Sequence, residues 1–322
     1  MPDAAPTVDV LLEPTDWSAH LADETRRGLA ARPRWTPPVW FYDEVGSHLF
    51  DEITRLPEYY PTRAESSILE RRAAEIAAVS GADTLVELGS GTSQKTRLLL
   101  DGLAPQRFSP FDVSESVLRS AAVALSTEYP GLDIHAVVGD FHRHLGAIPR
   151  SGRRLVAFLG GTIGNLDRAQ RSRFLADIGA LLDPDERFLL GTDLVKDRAR
   201  LVAAYDDAAG VTAAFNRNAL VVMNRELGAD FEPDAFYHVA HWDAAAAWIE
   251  MRLVARSRQD VRVAGLDLDV VIGEGEWIRT EISAKFTADG VRQELSDAGL
   301  VVDEQWTDDD GDFLLTLARP YR

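Results

Sequence analysis

The 322-residue chain contains no cysteine, which removes disulfides, thiolate metal sites and a cysteine nucleophile from consideration. Positive charge is scarce as well: 34 Lys and Arg stand against 52 Asp and Glu, for a formal net charge of −18. Binding a phosphate backbone needs a basic surface, and the short pairs Arg71–Arg72 and Arg153–Arg154 do not make one. No nucleic-acid partner is expected, and the acidity reads as a solubilising surface. No apolar run reaches the ~20 residues that a membrane span requires. The opening M-P-D-A-A-P-T-V-D has neither the positive region nor the apolar core of a signal peptide. The expectation is a soluble, cytoplasmic monomer. Internal repeats and low-complexity tracts are also missing. The pairs His142 with His144 and His238 with His241 have no acid cluster at metal-binding spacing. They read as surface residues, and no metal is expected.

What is present is a chain 46% hydrophobic, with apolar patches along its whole length. One large domain or two modest ones fit that length. The most informative stretch is T-L-V-E-L-G-S-G-T-S-Q-K, Thr84 to Lys95. An apolar strand ends in Glu87, and Gly89 and Gly91 precede a polar segment able to open a helix. Without a β-carbon, the two glycines let the backbone turn sharply and let a ligand lie against it. A carboxylate at Glu87 would repel phosphate but suits a ligand with a cation and a ribose. S-adenosylmethionine has both and no phosphate.

Later strand ends fall at matching places. Asp112 closes a second strand, 23 residues after Gly89 (112 minus 89), where a ribose-binding acid stands roughly 20 residues on in the nucleotide-binding pattern. A third strand ends in Asp140 and Phe141, an acid and a ring suited to adenine. A fourth leads to Gly160, Gly161 and Asn165, and a fifth runs Phe188 to Asp193. Ligands of open α/β sheets bind along that carboxyl edge.

Residues up to about Tyr60 do not look like the start of the sheet. They are rich in aromatics, and Pro37–Pro38 exclude a regular helix there. Arg63 to about Val79 has the 3.6-residue apolar spacing of a helix. After Lys196 the rhythm changes to a long helical stretch ending near Leu227 with a break near Gly210. Two alternating segments follow, Ala247 to Gln259 and Gln259 to Val271, read as antiparallel strands with a solvated side. A segment near Trp277 to Phe286 comes next, and from Val291 a helix and two strands finish the sheet. The fold class is α/β. A Rossmann-like sheet domain spans 64–195 and 286–322, and a second domain is built from the arm, 1–63, and the insertion, 196–285.

The chain resembles the S-adenosylmethionine-dependent histidine Nα-methyltransferases of ergothioneine biosynthesis over nearly its whole length. The segments that carry the likeness are W-F-Y-D-E-V-G-S-H-L-F-D-E-I-T-R-L-P-E-Y-Y-P-T-R, V-E-L-G-S-G-T-S-Q-K-T, F-L-G-G-T-I-G-N-L, L-L-G-T-D-L-V-K-D, Y-D-D-A-A-G-V-T-A-A-F-N-R-N and T-E-I-S-A-K-F. A generic methyltransferase fold would not need the first and fifth. The resemblance implies a class I methyltransferase sheet with an added substrate domain. It implies that Glu87, Gly89, Gly91, Lys95, Asp112, Asp140, Phe141 and Gly161 hold the cofactor, which leaves as S-adenosylhomocysteine. Asn165 and Tyr205 would bind the α-carboxylate of L-histidine, and Tyr59, Glu281 and Ser283 its imidazole. Tyr42 would sit beside the reacting amine, and Phe50, Gly160, Thr212, Phe215 and Met251 would line the pocket. One departure is Gly161, where some members carry serine.

Read without the resemblance, these residues are less telling. Asn165 could simply cap the turn after Gly164, Glu281 could be a solvent-facing strand charge, and Tyr59 and Tyr205 could be packing residues. The alternatives to trimethylation of histidine are Nα-methylation of another free amino acid and a non-catalytic S-adenosylmethionine-binding protein.

Overall fold

A computed structural model describes residues 5–321, and residues 1–4 and 322 lie outside it. The chain divides into two compact units. One comprises residues up to Glu13, Pro61–Leu194 and the segment from Phe286 onward; the other comprises Pro14–Tyr60 and Val195–Lys285. Among the described residues no helix is long and apolar enough to cross a membrane.

The first unit is built on an eight-stranded sheet among the described residues. Its strands lie in the order Thr7–Val10, Asp133–Val138, Arg107–Asp112, Thr84–Leu88, Arg154–Phe158, Arg187–Asp193, Phe313–Pro320, Leu300–Thr307. Thr84–Leu88 is buried at all five positions, as a parallel strand covered on both faces must be. It pairs in parallel with Arg107–Asp112 on one side and Arg154–Phe158 on the other. Chain order reverses at this strand, so its carboxyl end opens onto the crevice where such sheets bind ligands. Phe313–Pro320 runs antiparallel to both neighbours. The helix Pro61–Ser80 starts with proline at its first position and buries Ile68, Leu69, Ala73 and Ile76, one apolar stripe at helical spacing.

One expectation is corrected here. The arm does enter the sheet, because Thr7–Val10 pairs in parallel with Asp133–Val138 at the edge. Its four residues are mostly exposed, so no alternation of apolar and polar residues announces it. The described part of 1–13 thus lies with the sheet.

In the second unit the strands Arg34–Trp35, Trp277–Ala284, Trp248–Ala255 and Phe236–Asp243 form a sheet in that order. Its apolar core includes Trp40, Phe41, Phe215, Leu220, Met223, Phe236, Met251 and Ile278. The helical stretch is two helices, Arg198–Tyr205 and Val211–Leu227, with Gly210 in the left-handed region before the second. The segment expected as one strand over 259–271 is a hairpin of Gln259–Val263 and Leu268–Ile272. Left-handed Asp267 turns that hairpin. Phe236–Asp243, with no strand expected, pairs antiparallel with Trp248–Ala255. Its inward positions include His238, a polar residue that breaks the apolar alternation a strand reading relies on.

Candidate active site

The turn after Glu87 has left-handed φ at Gly89, Gly91 and Ser93, +67°, +48° and +55°. A β-carbon on Gly91 would meet nothing within 4 Å, so the space above the turn is open. Asp112 accepts from the Gly91 N–H at 3.0 Å and from the Ser114 N–H at 2.9 Å. Burial pushes its carboxyl up, and those N–H groups oppose the shift. Asp140 caps the short helix Phe141–His144 by accepting from the His142 N–H at 2.8 Å. The Phe141 ring packs edge-on against Phe158 and Phe174, centroids 5.3 and 5.5 Å away.

Glu87 is 4% exposed and accepts from the Thr96 hydroxyl. Burial pushes its pKa up to about 8, against the pull of Lys95. Near pH 7 most of it is therefore protonated. At that pH it is mainly a neutral, hydrogen-bonded carboxyl. A cation placed beside it would draw the proton off.

Behind the turn lies Glu65, fully buried. Its carboxylate is ion-paired with Lys95 and accepts from the Gly160 N–H at 2.9 Å. One acid thus ties the helix Pro61–Ser80 to the glycine turn and to the left-handed pair Gly160 and Gly161 at the next strand end. Gly191 is required beside it, since a β-carbon there would lie 2.3 Å from Glu65 Oε1. At Gly161, φ is +67° and a β-carbon would meet the Phe313 ring at an ordinary 3.6 Å. A serine there would be strained by backbone rather than by space. Asn165 ends the single 3-10 turn Thr162–Asn165 that follows.

The residues of this edge fit S-adenosylmethionine. The Ser90 and Ser93 hydroxyls are buried in the turn without a hydrogen-bond partner among the described residues, ready for polar atoms of a ligand. Lys95 is already paired with Glu65, so the turn is not built for phosphate.

In the second unit the helix Glu44–Ile53 is capped by Asp43, which accepts from the Gly46 N–H at 2.8 Å and from Asn218 Nδ2 at 2.8 Å. That cap fixes Tyr42 and Phe50 against the helix Val211–Leu227. The start of Val211–Leu227 is held by Asp207, which accepts from the Val211 and Thr212 N–H groups at 3.0 and 2.7 Å. Burial would raise the Asp207 carboxyl, but the bonds from Thr212 and Val211 win and lower it. The result is a connected aromatic cluster. Phe215 lies 5.7 Å from Tyr42 and 5.9 Å from Phe50, and Tyr59 lies 6.4 Å from Phe50 and 6.1 Å from Tyr205.

Tyr205 joins this cluster to the sheet. Its hydroxyl lies 2.7 Å from Ser283 Oγ, and the Lys285 ammonium donates to both oxygens, at 3.0 and 2.8 Å. Glu281 faces Met251 across the ladder, just past a bulge that resets the register, a common device for aiming a side chain. The backbone of Tyr205 is held too. Its carbonyl accepts from His238 Nε2 at 2.7 Å, and His238 Nδ1 then accepts from Asn216 Nδ2 at 2.7 Å. Asn216 Oδ1 accepts from the Thr280 hydroxyl at 2.6 Å. His238 is therefore no surface residue; burial lowers its pKa and keeps it neutral.

The structure thus gathers Glu87, Gly89, Gly91, Lys95, Asp112, Gly160 and Gly161 along one sheet edge of the first unit. It gathers Tyr42, Phe50, Tyr59, Tyr205, Phe215 and Ser283 in the second, with Met251 and Glu281 as ladder partners. Sequence reasoning missed Glu65, Lys285, Ser90, Ser93 and the Thr280–Asn216–His238 chain. Two of these were signalled. Glu65 precedes Ile68 and Leu69 on one helical stripe, and Lys285 follows Glu281 and Ser283 at strand period two.

A switch-point sheet with a glycine turn, buried hydroxyls and terminal acids defines a class I, S-adenosylmethionine-dependent methyltransferase. Residues 21–320 match the family described as histidine-specific, SAM-dependent methyltransferase, and the chain belongs to that family. It is 60% identical over 302 residues to the histidine N-alpha-methyltransferase of Mycolicibacterium smegmatis, covering 92% of this chain and 94% of that protein. It is 29% identical over 291 residues to ergothioneine biosynthesis protein 1 of Neurospora crassa, covering 85% of this chain and 32% of that protein. The fold is shared with the crystal structure of a Pyrococcus horikoshii protein at a TM-score of 0.51 and 13% identity, over 87% of this chain and all of that one.

Proposed function

We propose that the enzyme transfers three methyl groups from S-adenosylmethionine to the α-amino group of free L-histidine, giving trimethylhistidine (hercynine) for ergothioneine biosynthesis. The observation that carries this reading is the joining of an aromatic cluster, Tyr42, Phe50, Tyr59 and Phe215, to a polar row of Tyr205, Ser283 and Lys285. Each methylation makes the amine less able to hydrogen-bond, and a quaternary ammonium is held best by ring faces. The polar row suits the groups of histidine that do not react.

The cofactor supplies a methyl group on a sulfonium, open to in-line attack by an amine lone pair. The protein's task is therefore mainly positioning. In this reading the first unit holds the cofactor through Gly89, Gly91, Lys95, Asp112, Asp140, Phe141 and Gly161, with Glu87 beneath the turn. Asn165 and Tyr205 take the α-carboxylate. Glu281 accepts the imidazole N–H, and Tyr59 and Ser283 complete the ring's contacts. Gly160, Thr212 and Met251 shape the pocket. An α-amino group titrates near ~8 at a chain terminus and higher in a free amino acid, so some lone pair is available without a strong base. Tyr42 orients the amine and passes its proton toward water. The enzyme acts as a cytoplasmic monomer on this small substrate.

Incubation with the cofactor and, separately, each common free amino acid, read by mass spectrometry, tests the reading. Methylation of histidine alone is the expected result. Methylation of a different amino acid in preference to histidine would overturn the roles given to Glu281 and Ser283.

A further inference from the structure

We propose that Asn216 is a positioning residue for the amino-acid substrate: its buried side-chain amide ties together the segments that carry Tyr205, Phe215, Met251 and Glu281, and so sets where these pocket residues stand. This rests on the reading of those four as substrate-facing residues.

Asn216 belongs to the helix Val211–Leu227, where it interrupts a buried stripe of Phe215, Ala219, Leu220 and Met223. It is 0% exposed. Asparagine is a poor helix former, and a buried amide is costly unless its polar atoms are met. Here each of them is. The Arg252 carbonyl can only accept, so the side-chain nitrogen is the atom that faces it, at 3.2 Å. The second N–H goes to His238 Nδ1 at 2.7 Å. That leaves the proton of the neutral imidazole on Nε2, which donates to the Tyr205 carbonyl at 2.7 Å. On the other side, the Thr280 hydroxyl lies 2.6 Å from Asn216 Oδ1 and 3.0 Å from the Met251 carbonyl. Both are acceptors, and the one hydroxyl proton serves the two.

The network ends on pocket residues or their neighbours. Tyr205 and Met251 are held by their carbonyls, Phe215 precedes Asn216, and Glu281 follows Thr280. Thr280 also stands where the register between Trp277–Ala284 and Trp248–Ala255 shifts, and such a bulge aims the side chains beside it. A fully satisfied polar network gives its segments one arrangement, whereas apolar packing alone specifies position less sharply. An isosteric leucine at 216 would leave His238 Nδ1, the Arg252 carbonyl and the Thr280 hydroxyl each short of this partner.

The test is kinetic and uses the full-length enzyme. Histidine KM and kcat at saturating S-adenosylmethionine are measured for Asn216→Leu and Thr280→Val, with cofactor affinity followed by calorimetry and stability by urea denaturation. Leu266→Ala, a substitution in the same apolar core but outside the network, supplies a comparison that loses stability through packing alone. Asn216→Leu should raise histidine KM about tenfold or more. Its cofactor affinity should be unchanged, and kcat should fall less than KM rises. Thr280→Val, which removes only a hydroxyl, should raise KM about threefold or more, and it carries the comparison if the leucine variant does not fold. His238→Gln, whose amide N–H can still reach the Tyr205 carbonyl, should raise KM less than His238→Leu. Leu266→Ala should lose stability with KM little changed. An unchanged KM in Thr280→Val, or a rise in Leu266→Ala as large as that of a network variant of equal stability, would overturn the inference alone. Absence of histidine turnover in the unmodified enzyme would overturn the assigned reaction as well.

Discussion

Glu65→Gln is the sharpest probe of how the cofactor edge is held. The substitution keeps the shape of a fully buried side chain but replaces one carboxylate oxygen with an NH2 group. The remaining oxygen can accept from the Gly160 N–H or face Lys95, and the NH2 is then set donor-to-donor against the other. Removing one partner of a buried ion pair costs ~3–5 kcal/mol. The Lys95 side chain keeps 24% of its exposure, so water relieves part of that charge. The expected loss is about 2–4 kcal/mol, read from urea denaturation at pH 7. Lys95→Met in the Glu65→Gln background should restore part of it, because the uncompensated ammonium is gone. Cofactor affinity should fall with stability, since Glu65 joins the glycine turn to the Gly160 turn. A stability change under about 0.5 kcal/mol, with unaltered cofactor affinity, would refute the reasoning.

Three other outcomes are expected. The Glu87 pKa is raised from 4.5 to about 8, so the folded state holds a proton that the unfolded state releases. Stability from this group is full below pH 4.5 and declines as pH rises to about 8, at up to roughly 1.4 kcal/mol per unit. Glu87→Gln should remove that slope in denaturation curves across the window. For His238 the sign reverses, because burial lowers its pKa below 6.5. Its contribution is present above pH 6.5 and lost as pH falls below it, so His238→Asn should flatten the acid side of a thermal-stability profile. Glu281→Ala should raise the KM for histidine about tenfold or more while leaving cofactor affinity nearly intact. Equal loss of both, measured by kinetics and calorimetry, would remove Glu281 from the substrate.

Much of the fold was legible because parallel strands covered on both faces must be continuous apolar runs. Thr84–Leu88 and its neighbours announce themselves, and so does the glycine turn they feed. Thr7–Val10 was not legible, since an exposed edge strand of four residues needs no pattern. Phe236–Asp243 was hidden by His238, whose partners Asn216 and Tyr205 lie 22 and 33 residues away. Asp112 was legible as an acid at a strand end on the carboxyl edge, whereas Glu281 was singled out only by the resemblance. The residues that hold others in place were not legible. Glu65 is 95 residues from Gly160, and Lys285 is 80 from Tyr205; nothing local says that either pair meets. Glu87 shows the converse limit. Its position was legible, but its protonation state depends on burial that only the folded chain reveals.

The central claim is that histidine is carried to the quaternary ammonium. The direct measurement is the number of S-adenosylhomocysteine molecules released per histidine consumed at completion, with the product's methyl groups located by NMR. Three per histidine, all on the α-nitrogen, is the predicted result. A reaction that ends at one, or methyl groups on the imidazole, would contradict it.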